Sequence, residues 1–373
     1  MFNMLVKLTV KNFRNFKEQF EIDLRSNRSY EFNNHAIKND IVEHGVIYGV
    51  NGGGKSNLGL ALLDITNHLT DNSPSSGLKL NYLNASSKEE LAEFTYEFEI
   101  ESKQVIYQYG KEKCDLTIFE KLIIDGNEVV SFDRRSSPFA DFHLIGSETL
   151  KNDFTGKNIS PVKFLKSNAL LASNSINLIF EKFITFVDGM VFFRTLTKSQ
   201  EFYGQPVTPQ RVSQAIIELG KLNDFERFLN KSGVECKLKK SGSKGEEIIE
   251  FDFGNRSIEF SQAASTGTIS LGNFYYWFLK LTSGDITFAY IDEFDAYYHF
   301  ALSRQVVELI SSTSCQTIIT THNSTLMSNS ILRPDCYFVL EDNSLKPLYK
   351  LTDREIRKAH NLEKMYRSGA FDE

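Results

Sequence analysis

Apolar and polar positions change rhythm several times along this chain, and each rhythm predicts a different element. From Met4 to Val10 they alternate, and Phe16 to Leu24 offers a second strand after the turn Asn12-Phe13-Arg14-Asn15, so the chain opens on a hairpin. The run Gly45 to Val50 reads as a buried strand. Ser56 to Leu69 follows with Leu58, Leu60, Leu62, Leu63 and Ile65 at helical spacing. A polar, turn-rich stretch from Asn72 to Ser87 precedes a strand with Phe94, Tyr96, Phe98 and Ile100 on one face. Val105 to Tyr109, Leu116 to Ile118, Lys121 to Ile124 and Val129 to Phe132 continue the series, which predicts an antiparallel sheet.

From about Lys151 the pattern turns helical, with apolar residues at three- and four-residue intervals over Ala169 to Phe193 and Pro209 to Leu229. Lys237, Lys239, Lys240 and Lys244 surround Ser241-Gly242-Ser243 and precede the alternating run Ile248 to Phe253, a hairpin with a basic tip. That tip is either a solvated loop or a contact for a phosphate backbone. The last third alternates strand and helix again, at Ile286 to Ile291, Ala301 to Ser311, Gln316 to Thr320 and Tyr337 to Leu340. The expected division is 1–150, the first half of an α/β lobe with its antiparallel sheet; 151–285, a helical lobe; and 286–373, the second half of the α/β lobe with a tail.

Composition narrows the class. With 373 residues, 41% hydrophobic and 24% charged, the chain can bury a core and is long enough for two lobes. Cys114, Cys236, Cys315 and Cys336 are too scattered for a zinc site or a disulfide scaffold and read as thiols of a reducing compartment. The opening segment lacks a cleavable signal and no run of 18 apolar residues follows, so a cytoplasmic protein without membrane contact is expected. A net charge of -6 argues against a chain coated in nucleic acid, while a local basic face leaves DNA contact open.

Four segments carry chemistry. Gly49-Val50-Asn51-Gly52-Gly53-Gly54-Lys55-Ser56, with Asn57 next, has Walker A spacing directly after a buried strand and before a helix. Its glycines let backbone N–H groups turn around phosphates at the positive end of the helix; Lys55 would pair with the outer phosphates of ATP and Ser56 would ligate Mg2+. Thr287 to Glu293 is an apolar strand ending in two carboxylates, where ligands sit in parallel sheets: Asp292 is suited to magnesium and Glu293 to polarising the attacking water. Cys315 to Asn323 is a second short strand that ends on His322. A lone histidine is usually structural, but this place makes a γ-phosphate contact the better reading. Ala264 to Leu271 is a small polar turn entering a helix; Ser265 or Thr266 would cap it, or its N-terminus would meet a partner's ATP.

In this order the four segments resemble an ABC-type ATPase head of the branch that contains SMC and RecF proteins, over essentially the whole chain. Val10 to Phe16 resembles that branch's first hairpin, and Glu120 and Leu122 are similar to positions in its second sheet. Asp292-Glu293-Phe294-Asp295 running to His299, then Thr321-His322-Asn323, resembles the stand-alone OLD-like ATPases of prokaryotic defence and toxin systems. The tail Asn361 to Phe371 is similar to RloA and AbiLi proteins. The resemblance implies an α/β P-loop ATPase head with a mixed sheet, an accessory antiparallel sheet and a helical lobe. It also implies a head-to-tail homodimer, open to larger assembly, in which Ser265 and Gly267 of one copy cover the ATP held by Lys55 of the other. A nuclease or toxin encoded nearby would be the controlled partner. His299 replaces the D-loop aspartate of transporter relatives, and only Gln104 and Gln108 offer themselves for the Q-loop. The chain lacks heptads for an SMC arm and has too few residues after His322 for a TOPRIM nuclease, so it is expected to cut nothing itself. Two rival readings remain: a RecF-like DNA-repair ATPase, and a scaffold with structural ATP.

Overall fold

The computed structural model describes residues 3–71, 80–194, 209–243 and 245–371, the side chains of 209–211 excepted. Lys244 and the first half of the polar stretch that begins at Asn72, residues 72–79, lie outside them. The strands with continuous apolar runs assemble into one six-stranded sheet in the order Met190–Arg194, Phe288–Asp292, Gln316–Thr320, His44–Gly49, Tyr337–Glu341, Ser344–Pro347. The first five are parallel and the last is antiparallel. Parallel strands are covered on both faces, which is why Phe288–Asp292 and Gln316–Thr320 are buried at every position. His44–Gly49 therefore takes both its neighbours from the last third of the chain.

Alternating strands build a second, antiparallel sheet of seven, in the order Asp141–Phe142, Asn127–Asp133, Leu116–Ile124, Lys103–Lys113, Ala92–Ile100, Asn3–Lys11, Phe20–Asp23. Gln316 joins the two sheets through its side-chain amide: Leu5 N donates to Oε1 at 2.9 Å, and Nε2 donates to Leu5 O at 2.9 Å and to Val42 O at 3.0 Å. Between the sheets lies a buried polar seam. Asp64 Oδ2 accepts from Lys111 Nζ at 2.7 Å, Tyr109 OH at 2.9 Å and Tyr82 OH at 3.0 Å. Glu120 Oε1 accepts from Tyr107 OH at 2.6 Å and Ser160 Oγ at 2.7 Å.

Helices Pro209–Glu218, Leu222–Lys231 and Thr266–Ser283 enclose a separate core of Ile216, Phe225, Leu229, Leu271 and Tyr275, together with the three-stranded sheet Leu238–Ser241, Ile248–Asp252, Ser257–Glu259. The hairpin expected at the lysine cluster is the first pair of this sheet, and Lys239 Nζ reaches Asp252 at 3.5 Å.

The structure departs from the sequence expectations at four places. The helix expected over Ala169 to Phe193 is helical only from Ser175 to Asp188; Met190–Arg194 is an edge strand of the six-stranded sheet. The cause is local: Gly189 stops the helix where a Cβ would lie 2.8 Å from Thr287 Oγ1, and the β-favouring run Met190 to Phe193 follows. The helix expected over Ser56 to Leu69 divides at Leu63 into Lys55–Leu62 and Asp64–Leu69. Leu116–Ile118 and Lys121–Ile124 are one strand, whose central charge, Glu120, points into the seam. The second strand of the opening hairpin begins at Phe20, since Phe13 and Phe16 pair within the turn.

Candidate phosphate-binding site

Gly49 ends its strand against Leu340, where a Cβ would stand 2.8 Å from Leu340 O, so only glycine lets the neighbouring strand pass. The chain then turns through Gly52 at φ 76° and Gly54 at φ 104°, the left-handed region that glycine enters without penalty. Lys55 opens the helix, whose first N–H groups have no partner within it. They face a cavity of about 130 Å³ lined by Asn51 to Asn57 and Glu293. The helix lies close on the sheet because Gly59 has no side chain: a Cβ there would come 2.4 Å from the Phe192 ring and 2.6 Å from that of Tyr290. Tyr290 OH fixes the first turn by donating to Lys55 O at 2.6 Å.

Asp292 is fully buried at the end of its strand. Its Oδ2 accepts from Ser56 Oγ at 2.6 Å and Arg194 Nε at 3.1 Å, and its Oδ1 accepts from Thr320 Oγ1 at 2.8 Å. Glu293 follows at φ 51°, an uncommon conformation for a residue with a side chain, and its N–H donates to Thr320 Oγ1 at 2.8 Å. This turn leaves the Glu293 carboxylate on the cavity wall. His322, just past the strand Gln316–Thr320, sets Nε2 3.1 Å from Lys55 Nζ and 3.9 Å from Glu293 Oε1. The Lys55 ammonium has only donors, so His322 Nε2 accepts from it; burial and the Lys55 charge hold the His322 pKa below the ordinary histidine value. Lys55 Nζ also donates to Gly49 O at 2.8 Å and Val50 O at 3.1 Å. Burial lowers its pKa, against the pull of Asp292 and Glu293.

Five expected residues thus converge: Lys55, Ser56, Asp292, Glu293 and His322. Ser265 and Gly267 stand apart from this cavity. Ser265 caps the helix Thr266–Ser283 by accepting from Thr268 N at 3.2 Å, and a Cβ at Gly267 would lie 3.6 Å from Tyr297 O. Of the Q-loop candidates, Gln108 Nε2 donates to Thr95 Oγ1 at 3.5 Å and Gln104 lies opposite Glu99, both within the antiparallel sheet. Spacing alone did not single out Arg194, Thr320 or Asn15. Asn15 leans over the loop, accepting from Asn57 Nδ2 at 2.7 Å.

The residues fit a magnesium nucleotide. Ser56 Oγ and Asp292 Oδ2 are the hard oxygens that magnesium takes. Among the described residues no cluster of three or more His, Cys, Asp or Glu could hold a metal. Magnesium in nucleotide sites is held by one or two protein oxygens plus phosphates and water. The cavity is smaller than the roughly 300–1,000 Å³ of a whole cofactor pocket and has the scale of the phosphate end of a nucleotide.

Residues 46–328 match the model of the family described as "AAA domain, putative AbiEii toxin, Type IV TA system". The chain belongs to that family. Its AAA-type ATPase domain includes every converging residue from Lys55 to His322, while the opening hairpin and the strands Tyr337–Glu341 and Ser344–Pro347 flank the matched stretch. Among curated proteins none matches the chain. Similar solved structures include an SMC head bound to the C-terminal winged-helix domain of ScpA, 16% identical over 93% of this chain and 98% of that one, with a TM-score of 0.48. The SMC head domain from Thermotoga maritima is 14% identical over 92% and 98%, with a TM-score of 0.46. An SMC head with an extended coiled coil from Pyrococcus furiosus, bound to the C-terminal domain of ScpA, is 13% identical over 92% and 95%, with a TM-score of 0.49. Among the described residues no helix is long and apolar enough to cross a membrane.

Proposed function

We propose that this AAA-type chain binds ATP with magnesium at Gly49 to Ser56 and hydrolyses it. It would work as a head-to-tail pair, within an OLD-like, two-component defence or toxin system. The observation that carries the reading is the convergence of Lys55, Ser56, Asp292, Glu293 and His322 on one phosphate-sized cavity. Lys55 leaves the carbonyls of Gly49 and Val50 for the outer phosphates, which compensate its charge better than two neutral oxygens do. His322 Nε2, released by that move, can carry the proton it donates to a phosphate oxygen. Glu293 orients a water at the cavity wall and draws on its proton. Ser56 and Asp292 would hold magnesium, which would supply charge neutralisation at the transferring phosphate. The small cavity supports pairing, because it covers only the phosphate end and leaves the rest of the nucleotide for Ser265 and Gly267 of a second copy.

Glu293→Gln should keep nucleotide binding and lower turnover at least about 100-fold, measured by phosphate release beside calorimetric binding. Equal rates would end the role given to Glu293. The same variant with Mg-ATP should sediment as a dimer; a monomer at every concentration removes the pairing. Control of an effector is tested by co-expression with the product of the adjacent reading frame. Cell growth should then depend on Lys55, and growth indifferent to Lys55→Met argues for a chain that acts alone.

A further inference from the structure

Asp292 is flanked from both sides along the sheet. The parallel register sets Arg194 opposite it on one neighbouring strand, and on the other Thr320 follows Ile319, the partner of Ile291. Thr320 takes one carboxylate oxygen, and Ser56 and Arg194 share the second. A fully buried carboxylate met only by hydroxyls would carry an uncompensated charge, and the Arg194 guanidinium compensates it. Yet Asp292 Oδ2 and Ser56 Oγ are the two oxygens suited to magnesium. A dication held there would stand within a few ångströms of the guanidinium and repel it. Two cations therefore compete for one oxygen. Arg194 can yield: its side chain is 28% exposed while that of Asp292 is wholly enclosed.

We propose that Arg194 is an exchangeable counter-ion that holds Asp292 when magnesium is absent, surrenders Oδ2 when magnesium binds, and so converts metal occupancy into movement of the strand end Phe193–Arg194. The proposal rests on reading the loop as a magnesium-nucleotide site. The movement has a receiver. The Phe193 ring lies 5.3 Å from Trp277, and Trp277 sits on the helix Thr266–Ser283 that Ser265 caps. Both rings are buried, and close-packed side chains pass a displacement on rather than absorb it. Metal chemistry at Asp292 is thereby linked to the helix that begins at Ser265. No conventional motif marks Arg194; its place follows from strand register alone.

The protein has a single tryptophan, so Trp277 emission reports on this contact without a label. Titrating Mg2+ into the full chain with a non-hydrolysable ATP analogue should change that emission, with the midpoint found for analogue binding by calorimetry. Arg194→Gln removes the competing charge and keeps an amide donor for Asp292. It should lower the Mg2+ midpoint about tenfold, within the usual range for coupling between two sites, and suppress the emission change. Arg194→Lys, which keeps the charge, should stay within about twofold of the wild type, well below that coupling. An unchanged or higher midpoint in folded Arg194→Gln overturns the exchange. If that variant does not fold, the wild-type titration decides, and a Trp277 emission indifferent to Mg2+ overturns the proposal. A wild type that binds no analogue overturns the nucleotide reading from which the proposal starts, and one that binds it equally without Mg2+ overturns the magnesium site.

Discussion

Lys55 and Lys111 are both nearly enclosed, at 5% and 1% exposure, and their surroundings are opposite. Lys111, in the seam between the sheets, lies 2.7 Å from Asp64 and over the faces of Tyr109 and Tyr82, at 5.0 and 5.8 Å from the ring centroids. Lys55, on the phosphate loop, bonds two carbonyls and an imidazole, and burial lowers its pKa. One charge is matched within the fold. The other is desolvated and held by neutral groups that a phosphate can replace. The contrast teaches where this chain keeps its capacity to bind: in a charge whose compensation within the fold is incomplete.

The sharpest way to break the comparison is to remove each lysine in turn. Lys111→Met leaves Asp64 buried without its cation and should cost about 3–5 kcal/mol in chemical denaturation. Lys55→Met should leave stability unchanged or higher while nucleotide binding is lost, the exchange of stability for activity expected of a strained site. Similar stability losses in the two variants would erase the distinction.

A smaller effect sharpens how the site helix is seated. Gly59→Ala puts a methyl group against the Phe192 and Tyr290 rings and should cost about 1–3 kcal/mol in thermal unfolding. An unchanged midpoint would mean that the rings turn aside and the helix is less tightly placed than Lys111.

The smallest effect tests a third buried cation-former, His44, at the start of the phosphate-loop strand. Its Nδ1 lies 2.7 Å from Thr317 Oγ1, and burial, with His35 and Lys38 nearby, pushes its pKa down to about 3. The unfolded chain takes up this proton near 6.5, the ordinary histidine value, and the folded chain does not. Stability from this group is complete above that value and falls by about 1.4 kcal/mol per pH unit on acidification, until the folded value is reached. His44→Gln should flatten the slope of urea unfolding free energy between pH 7 and pH 5, and an undiminished slope would assign the acid sensitivity elsewhere.

Much of this was legible in residue order. The run into Gly49, the Lys55-Ser56 helix start and the apolar strand before Asp292-Glu293 are local patterns, and the fold keeps them. The cap at Ser265 was likewise foreseen as one of two readings. What escaped depends on neighbours remote in sequence. Met190–Arg194 continues the apolar spacing of the preceding helix, and only Gly189 followed by a β-favouring run hinted at a change of element. Arg194 gains its meaning from register with Asp292, which spacing does not convey. Glu120 looked like an interruption between two strands because a charge in an apolar pattern reads as exposed, until Tyr107 and Ser160 are seen to enclose it.

The strand that carries the phosphate loop is flanked only by strands made much later. His44 and its neighbour Thr317 are 273 residues apart, and a ribosome adds about 5–20 residues per second. For about 14–55 seconds, a nascent chain thus displays the loop without the sheet that shapes it. Nucleotide competence waits on the strands Gln316–Thr320 and Tyr337–Glu341, and any truncation before Gln316 yields a chain with the motif but no site.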